Sequence, residues 1–370
     1  MKLLYITPGC FDKGGISRYC RYQITAIREI FGRENTYIMS LLGPEFDSIE
    51  EVFEVEYSGS GNGKLQQIKF ALNFVWNILR LKPKIILCAH VNFSGMVVVL
   101  AKLIGAKTIL NVYGLELWSG LSKDAAFGLK NVDSIISDCH NTKNYLVTNK
   151  LRQGQDITVI WDCVDLDKFK PYLGDIDLIK SKYGINNHGK KIILTLGRIA
   201  REARHKGYQR LIEMFTRLDQ EKYYLVLAGK GNMVDELKEI VRLYEINKNV
   251  CFTGMIQEED MAALYSLPDV FSLVSEVGFG MGEGIPLTPL EAMACGTPIV
   301  VGNQDGSQEA IFDNINGFVI NPYDLNSHVN SILELTSGLK NSIEIRKVAI
   351  ENFSYEKFKK EHEDFFNCKF

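Results

Sequence analysis

Short apolar runs alternate with longer amphipathic stretches along the whole chain. The runs are rich in β-branched residues and are bounded by polar turns, which is typical of strands buried on both faces of a parallel sheet. The stretches between them repeat apolar residues every three or four positions, which predicts helices. The predicted strands cover residues 3–6, 37–42, 85–89, 108–112, 134–137 and 158–161, and then 192–196, 224–228, 250–253, 270–274, 299–301 and 318–320.

This alternation predicts an α/β protein with two doubly wound, Rossmann-like domains that face a central cleft. A chain of 370 residues is long enough for two cores. We place an N-terminal domain at 1–187 and a C-terminal domain at 188–353, followed by a final helix in 354–370. Ligands bind at the carboxyl ends of parallel strands, so the cleft is the expected site. The predicted helices cover residues 16–31, 64–82, 122–131, 140–151, 205–218, 233–245, 258–266, 288–295, 324–337 and 354–366.

The composition is that of a globular protein, with 46% hydrophobic and 24% charged residues and a net charge of -3. The eight cysteines form no Cys-x-x-Cys pair, so we expect neither a disulfide framework nor a metal site. The first residues form too short an apolar run for a signal peptide. We expect a cytoplasmic protein with no metal, cofactor or nucleic-acid partner. A peripheral contact with the inner face of the membrane, through the N-terminal domain, stays open.

The most informative segment carries two glutamates, Glu283 and Glu291, with seven residues between them. A glycine-rich loop presents the first carboxylate, and a predicted helix presents the second in its first turn. A polyhydroxylated ligand could be held at both ends. The alternative is structural, because Thr288 and Glu291 can form a capping box around Pro289. The glycines of the loop are Gly278, Gly280, Gly282 and Gly284.

Two cations follow the first strand of the second series. Arg198 stands at the end of that strand after Gly197, and Lys206 opens the next predicted helix. Two fixed cations can hold a diphosphate and offset its charge as a bond to it breaks. A solvated basic loop is the alternative, because Arg201 and Arg204 lie nearby in the sequence.

Further candidates follow strands of the first series. Gly14 and Gly15 follow the first strand, where they would let backbone N–H groups approach a phosphate or a sugar, or would simply form a tight loop. His90 ends the third strand, where it could exchange a proton or pack within the domain. The helix at 64–82 has basic flanks and is apolar on most sides. It could lie on a membrane surface or pack against its sheet.

Two turns of the second series could enclose a nucleobase. Gly229 and Lys230 follow one strand, and Met255 and Ile256 follow the next. Such turns are common in α/β proteins, and each is weak evidence when taken alone.

Taken together, these motifs resemble those of retaining glycosyltransferases of the GT-B fold, family 4. The resemblance covers essentially the whole chain and is strongest from 194 to 320. It implies that the final helix in 354–370 crosses back to the N-terminal domain. Glu283 and Glu291 match the Glu-x7-Glu hallmark of that family. Arg198 and Lys206 match its Gly-Arg…Lys-Gly element, and the paired glycines after the first strand match its N-terminal loop.

The resemblance implies a role for each of these residues. Glu291 would bind the donor ribose and Glu283 the transferred sugar, while Arg198 and Lys206 would bind the diphosphate in place of a metal ion. The implied reaction is retaining transfer of a hexose from a donor of the UDP-glucose or GDP-mannose type. The acceptor would be a hydroxyl of a growing glycan or glycolipid, which we expect to be lipid-linked. The backbone around the first glutamate would help to hold the sugar at Gly284, Ile285, Pro286 and Leu287.

One residue departs from the family pattern. Tyr113 precedes Gly114 where family members usually carry a histidine that contacts the donor sugar. A tyrosine can still donate a hydrogen bond, and the change directs attention to His90 and Glu116 as further catalytic candidates. Two alternatives therefore stay open. One is a non-catalytic sugar-nucleotide-binding component of a polysaccharide assembly complex, and the other is a GT-B nucleotide-sugar epimerase or a phosphorylase.

Overall fold

A computed structural model describes residues 1–12, 14–44, 54–61, 63–278, 281–338 and 341–370. Its contacts divide the chain into two compact units. The first unit contains Met1–Cys163 together with Tyr355–Phe370, and the second contains Val164–Ser354. The boundary between the units thus lies between Cys163 and Val164, before the boundary that we predicted after residue 187.

The first unit contains a seven-stranded sheet in the order β3-β2-β1-β4-β5-β6-β7. Every neighbouring pair is parallel. The short edge strand β3 was not predicted. The strands are β1 Leu3–Thr7, β2 Thr36–Ser40, β3 Tyr57–Ser58, β4 Ile85–Cys88, β5 Lys107–Val112, β6 Ser134–Ser137 and β7 Ile157–Val159.

Helices cover both faces of this sheet, which explains why its strands are apolar throughout instead of alternating. Leu4 and Ile6 of β1 pack in a cluster with α2 and α3, whereas Leu3 and Tyr5 pack in a second cluster with α1 and α14. The helices are α1 Gly15–Phe31, α2 Lys64–Leu81, α3 Ser94–Ile104, α4 Leu115–Trp118, α5 Lys123–Asn131, α6 His140–Thr148 and α14 Tyr355–Lys369.

The second unit contains a six-stranded parallel sheet in the order β10-β9-β8-β11-β12-β13. The strands are β8 Lys191–Leu196, β9 Tyr223–Ala228, β10 Val250–Gly254, β11 Val270–Leu273, β12 Ile299–Gly302 and β13 Gly317–Ile320. The helices are α7 Ile176–Lys182, α8 Tyr208–Phe215, α9 Val234–Leu243, α10 Met261–Ser266, α11 Leu287–Ala294, α12 Leu325–Ser337 and α13 Ser342–Phe353.

Four helices, α3, α4, α7 and α13, were missing from our prediction. The valine-rich sequence of α3 resembles a strand, because valine favours strands and a short apolar run has no clear period. Within the described ranges, no helix has both the length and the apolar content that a bilayer crossing requires.

Each sheet has one topological switch point, where the order of the strands along the chain reverses its direction across the sheet. The candidate residues lie in loops near these switch points. In the first unit the change lies between β1 and β4, and in the second it lies between β8 and β11. Loops leave in opposite directions at such a point and open a crevice at the carboxyl ends of the two strands. Arg198 and Lys206 follow β8, whereas Glu283 follows β11.

Candidate functional site

Lys206 and Glu283 form an ion pair at the switch point of the second unit. The Lys206 ammonium donates to Oε1 of Glu283 at 2.5 Å, and Nε2 of His205 lies 2.8 Å from the same oxygen. The backbone N–H of Glu283 donates to Asp305 at 3.0 Å. Only 17% of the Lys206 side chain and 18% of the Glu283 side chain are exposed. Two contacts therefore hold the carboxylate, and a third holds the backbone of the same residue.

These contacts also determine the charge of Glu283. Burial alone would raise its pKa, but the charge of Lys206 and the hydrogen bond with His205 outweigh burial and lower the pKa to about 2. The group is consequently a carboxylate at neutral pH and can only accept hydrogen bonds. It cannot supply a proton to a reacting atom under those conditions.

Arg198 provides a second cation beside this pair. Its side chain is exposed and makes no hydrogen bond or ion pair with the residues that the structure describes. Burial raises the pKa of the Tyr208 hydroxyl, the charge of Glu283 raises it further and the charge of Arg198 lowers it, so both charged groups lie near this hydroxyl. One anionic and two cationic groups thus surround the same crevice.

Our sequence reasoning did not single out two polar residues in this region. Nδ1 of His205 and the hydroxyl of Tyr208 are buried and have no hydrogen-bond partner among the described residues. Buried polar atoms are normally satisfied, so such atoms mark places where a ligand or water completes the bonding. The sequence indicates these two residues only by their place directly before Lys206 and directly after Gly207.

Glu291 lies in α11, and the capping alternative for it is wrong. The helix begins at Leu287, with Pro286 at the N-cap and no side-chain cap, whereas a capping box requires Thr288 in the capping position. Glu291 instead accepts a hydrogen bond from the Tyr265 hydroxyl at 2.6 Å, and only 1% of the residue is exposed. The first turn of α11 therefore keeps backbone N–H groups that no side chain among the described residues caps.

The loop between the two glutamates lies close to the protein interior. Gly284 is half-buried, and Ile285, Pro286 and Leu287 are buried. Gly280 of the glycine-rich loop lies outside the described residues.

The glycines after β9 allow two loops to pack backbone against backbone. Gly229 has a φ of 130°, and a Cβ there would lie 1.9 Å from the carbonyl oxygen of Gly197. Our prediction explained this glycine by the approach of a ligand, whereas its neighbour is the loop that carries Arg198. Lys230 and Met255 are exposed and Ile256 is buried.

In the first unit, the side chain of Asp12 lies next to the first turn of α1. Its carboxylate accepts from the N–H of Gly14 at 2.7 Å and from the Ser17 hydroxyl at 2.5 Å. This Gly14 N–H is already bonded in the structure. Gly15 is open, because no atom lies within 4 Å of the place that a Cβ would take.

His90 is half-buried after β4. Its Nδ1 accepts the N–H of Asn92 at 3.3 Å, and burial lowers its pKa. The neutral ring therefore carries its proton on Nε2.

Tyr113 points into the core of the first unit. Its ring contacts Tyr19 edge-to-face at 5.1 Å, and Asn111 donates to its hydroxyl at 3.4 Å. Only 8% of the residue is exposed. These are the contacts of a core residue.

Glu116 follows the end of β5 and is half-buried. Its Oε1 accepts the N–H of Tyr113 at 2.7 Å, and its Oε2 is buried without a partner among the described residues. Burial raises the pKa of Glu116 to about 7. The group can therefore change its protonation state near neutral pH.

No group of three or more His, Cys, Asp or Glu residues is arranged to hold a metal ion in the described part of the chain. The candidate residues fall into two sets, one in each unit, and direct side-chain contact is found between Lys206 and Glu283.

The second unit also matches a known family. Residues 175–352 match the family Glycosyl transferases group 1. The match covers slightly less than half of the chain and includes both site cations and both glutamates. This segment is therefore similar to the group 1 glycosyltransferases.

Two curated relatives are similar in sequence to parts of this chain. An uncharacterized glycosyltransferase of Methanocaldococcus jannaschii is 26% identical over 244 residues, which are 64% of this chain and 59% of that protein. The alpha-monoglucosyldiacylglycerol synthase of Streptococcus pneumoniae is 27% identical over 299 residues, which are 78% of this chain and 63% of that protein. The matches thus span less than two thirds of either relative.

Solved structures share the fold of the whole chain. The crystal structure of HepE from Anabaena in complex with UDP has a TM-score of 0.80 at 16% identity and covers 100% of both chains. The structure of the same protein in complex with UDP-glucose has a TM-score of 0.78 at 15% identity, also over 100% of both chains. The chain has the GT-B fold with two Rossmann-like units, and the predicted fold class is confirmed.

Proposed function

We propose that the protein is a metal-independent, retaining glycosyltransferase. It transfers a hexose from a nucleotide-diphosphate sugar to a hydroxyl of a growing, lipid-linked glycan. The observation that carries this proposal is the crevice at β8 and β11, where an exposed Arg198 accompanies the fixed pair of Lys206 and Glu283. The family match over residues 175–352 supports the same class of reaction.

The donor diphosphate binds to Arg198 and Lys206. An ammonium group has three N–H donors, so Lys206 can keep its bond to Glu283 while it donates to a phosphate oxygen. The uncapped first turn of α11 adds backbone N–H groups and the positive end of a helix dipole. Together these groups provide the positive charge that a divalent ion supplies elsewhere.

The two glutamates bind hydroxyl groups of the donor. Oε1 of Glu283 is already bonded to Lys206 and His205, which leaves Oε2 to accept from hydroxyls of the transferred sugar. Glu291 binds the ribose, and the Tyr265 hydroxyl orients its carboxylate. Since the pKa of Glu283 is lowered to about 2, this residue acts as a binding group and the pair differs from the acid and base of a glycosidase.

In the reaction, the bond between the anomeric carbon and the donor phosphate oxygen breaks. The acceptor oxygen forms a bond to the same carbon on the same face, and its proton passes to the departing phosphate. Arg198 and Lys206 stabilise the negative charge that develops on that phosphate.

Hexose donors of the UDP-glucose or GDP-mannose type fit this arrangement. HepE, which shares the fold, was solved with UDP-glucose, and the pneumococcal relative is by name a glucosyldiacylglycerol synthase. The first supports a sugar nucleotide as donor, and the second supports a lipid-linked acceptor. We assign acceptor binding to the first unit.

Alanine substitutions of the two cations test the proposal. Arg198→Ala and Lys206→Ala should each reduce sugar transfer by a factor of about 100 or more, because each removes a charged contact made to the leaving group. Release of the nucleoside diphosphate in the presence of acceptor is the measurement. Arg201→Ala is the matched control, since Arg201 lies in the same loop and its side chain is 73% exposed. Transfer near the wild-type rate by both cation variants would refute the assignment.

A second candidate function is a non-catalytic sugar-nucleotide-binding component. The observation that favours it is Tyr113, whose hydroxyl lies in the core where family members usually present a histidine to the donor. Calorimetry with UDP-glucose and GDP-mannose separates the two functions. Donor binding that requires Arg198 and Lys206, without transfer or slow hydrolysis, would support this second candidate.

A further inference from the structure

Helix α2 has a second apolar face in addition to the face that packs against the sheet. Phe70, Phe74 and Ile78 are buried in the core of the first unit. Six other large apolar residues point outward and are 38–66% exposed. Their spacing of mainly three or four residues places them along one side of the helix, over a length of about 20 Å. They are Leu65, Ile68, Leu72, Val75, Trp76 and Leu79.

Helix α3 extends this surface. Val99 is 51% exposed and Leu103 is 77% exposed, and they lie one helical turn apart. Helices α2 and α3 pack side by side and contribute to the same core cluster on one face of the sheet. Their outward faces therefore lie on the same side of the first unit. We call these eight residues the outer apolar stripe.

The charged residues of α2 and α3 are all basic. Neither α2 nor α3 contains an aspartate or glutamate. Arg80 is paired with Glu56, whereas the lysines around the stripe are exposed. Their long side chains can extend beyond the apolar residues to reach a charged surface. These lysines are Lys64, Lys69, Lys82, Lys84 and Lys102.

We propose that the outer apolar stripe docks this protein on an anionic lipid surface. Leucine, isoleucine and tryptophan side chains would enter the boundary between headgroups and acyl chains, while the lysines would contact anionic headgroups. A second copy of the chain fits this surface less well, because a symmetric contact would bring the lysines of both copies together. The inference rests on exposure and charge, and it holds independently of the proposed transferase activity.

Vesicle flotation with the full chain tests the proposal. The wild-type protein should bind vesicles of phosphatidylcholine with about 30% phosphatidylglycerol, and binding should weaken at least several-fold on pure phosphatidylcholine or in high salt. The double variant Leu72→Glu with Trp76→Glu should lose at least tenfold in binding. Leu243→Glu is the matched control, because Leu243 is an 82% exposed leucine at the end of a helix in the second unit.

Tryptophan fluorescence provides a second readout. Emission should shift to shorter wavelength when anionic vesicles are added, because Trp76 leaves water, and the variant Trp76→Phe should keep binding but lose the shift. The thermal melting of each variant checks that it is folded, which we expect because the substituted side chains are exposed. The proposal is overturned if the wild-type protein ignores anionic vesicles. It is also overturned if the double glutamate variant binds them as tightly as the wild type, or if the stripe instead mediates a dimer that this variant dissociates.

Discussion

At the level of single residues, the proposed role of Glu283 depends on which of its two carboxylate oxygens is already hydrogen-bonded. Lys206 and His205 both bond to Oε1, and the described residues provide no partner for Oε2. An ionised oxygen without a protein partner is available to a hydroxyl donor. The charge of Lys206 therefore keeps Glu283 ionised, and the ionised carboxylate can accept a hydrogen bond from a sugar hydroxyl.

The pH dependence of stability should show this lowered pKa. The pKa of Glu283 falls from an ordinary 4.5 to about 2 on folding, so its ionised form stabilises the fold above pH 4.5. This contribution declines as the pH falls from 4.5 towards 2. Glu283→Gln should therefore reduce the free energy of unfolding by up to about 3 kcal/mol at pH 7, and the difference from wild type should narrow in acid.

Urea unfolding of both proteins between pH 7 and pH 3 measures this difference. Glu239→Gln serves as the control, because Glu239 is a glutamate with 64% of its side chain exposed. A gap between wild type and Glu283→Gln that stays constant over this range would contradict the prediction.

At the scale of secondary-structure elements, glycines allow the loops after β8 and β9 to pack closely. A Cβ on Gly229 would lie 1.9 Å from the Gly197 carbonyl oxygen, and one on Gly231 would lie 2.1 Å from that of Ile199. Both glycines have positive φ. Sequence reasoning identified these turns correctly as strand ends, but it could not reveal which neighbour requires a glycine there.

Gly229→Ala should destabilise the protein by more than about 2 kcal/mol, because both its φ and the contact with Gly197 oppose a side chain. Gly15→Ala is the matched control, since nothing lies within 4 Å of its Cβ position. It should change the free energy of unfolding by less than about 1 kcal/mol. Thermal melting of the two variants checks the contrast, and equal losses would show that the packing argument is mistaken.

At the scale of the whole molecule, the first unit is built from two separate parts of the chain. Helix α14 returns to it and contributes Phe358, Phe365 and Phe366 to the core cluster that contains α1. His362 is fully buried between them and lies 2.8 Å from the Gln23 amide. The last residues of the chain therefore complete a core that begins with the first strand.

Truncation after Ser354 should unfold the first unit. Loss of three buried phenylalanines costs about 3–5 kcal/mol each, which together approaches or exceeds the usual stability of a domain. Hydrogen exchange should show loss of protection in β1 and α1, with protection kept in the second unit. Truncation after Asn367 is the control, because residues 368–370 are exposed. Protection that survives in β1 after the longer truncation would disprove the role of α14.

The pattern of residues along the chain was enough to predict the two βα series, the parallel character of the sheets and most helix positions. Each of these follows from the local spacing of apolar residues, which fixes what faces a core. It also placed Arg198 at a strand end, Lys206 at the start of the next helix and Glu283 in a glycine-rich loop. Such spacing does not distinguish a helix from a strand where the segment is rich in valine, as in α3. It also does not locate the boundary between the two units at Val164, because that boundary depends on contacts between distant residues.

Which of these loops meet depends on the order of the strands in each sheet. Lys206 bonds to Glu283 because β8 and β11 are neighbours in the sheet, although β9 and β10 lie between them in the chain. The burial of Tyr113 also depends on a segment that is distant in the sequence. Its ring packs against Tyr19 of α1 in the core of the first unit. Strand order and side-chain surroundings arise from packing between remote segments, and that information is absent from any local pattern of residues.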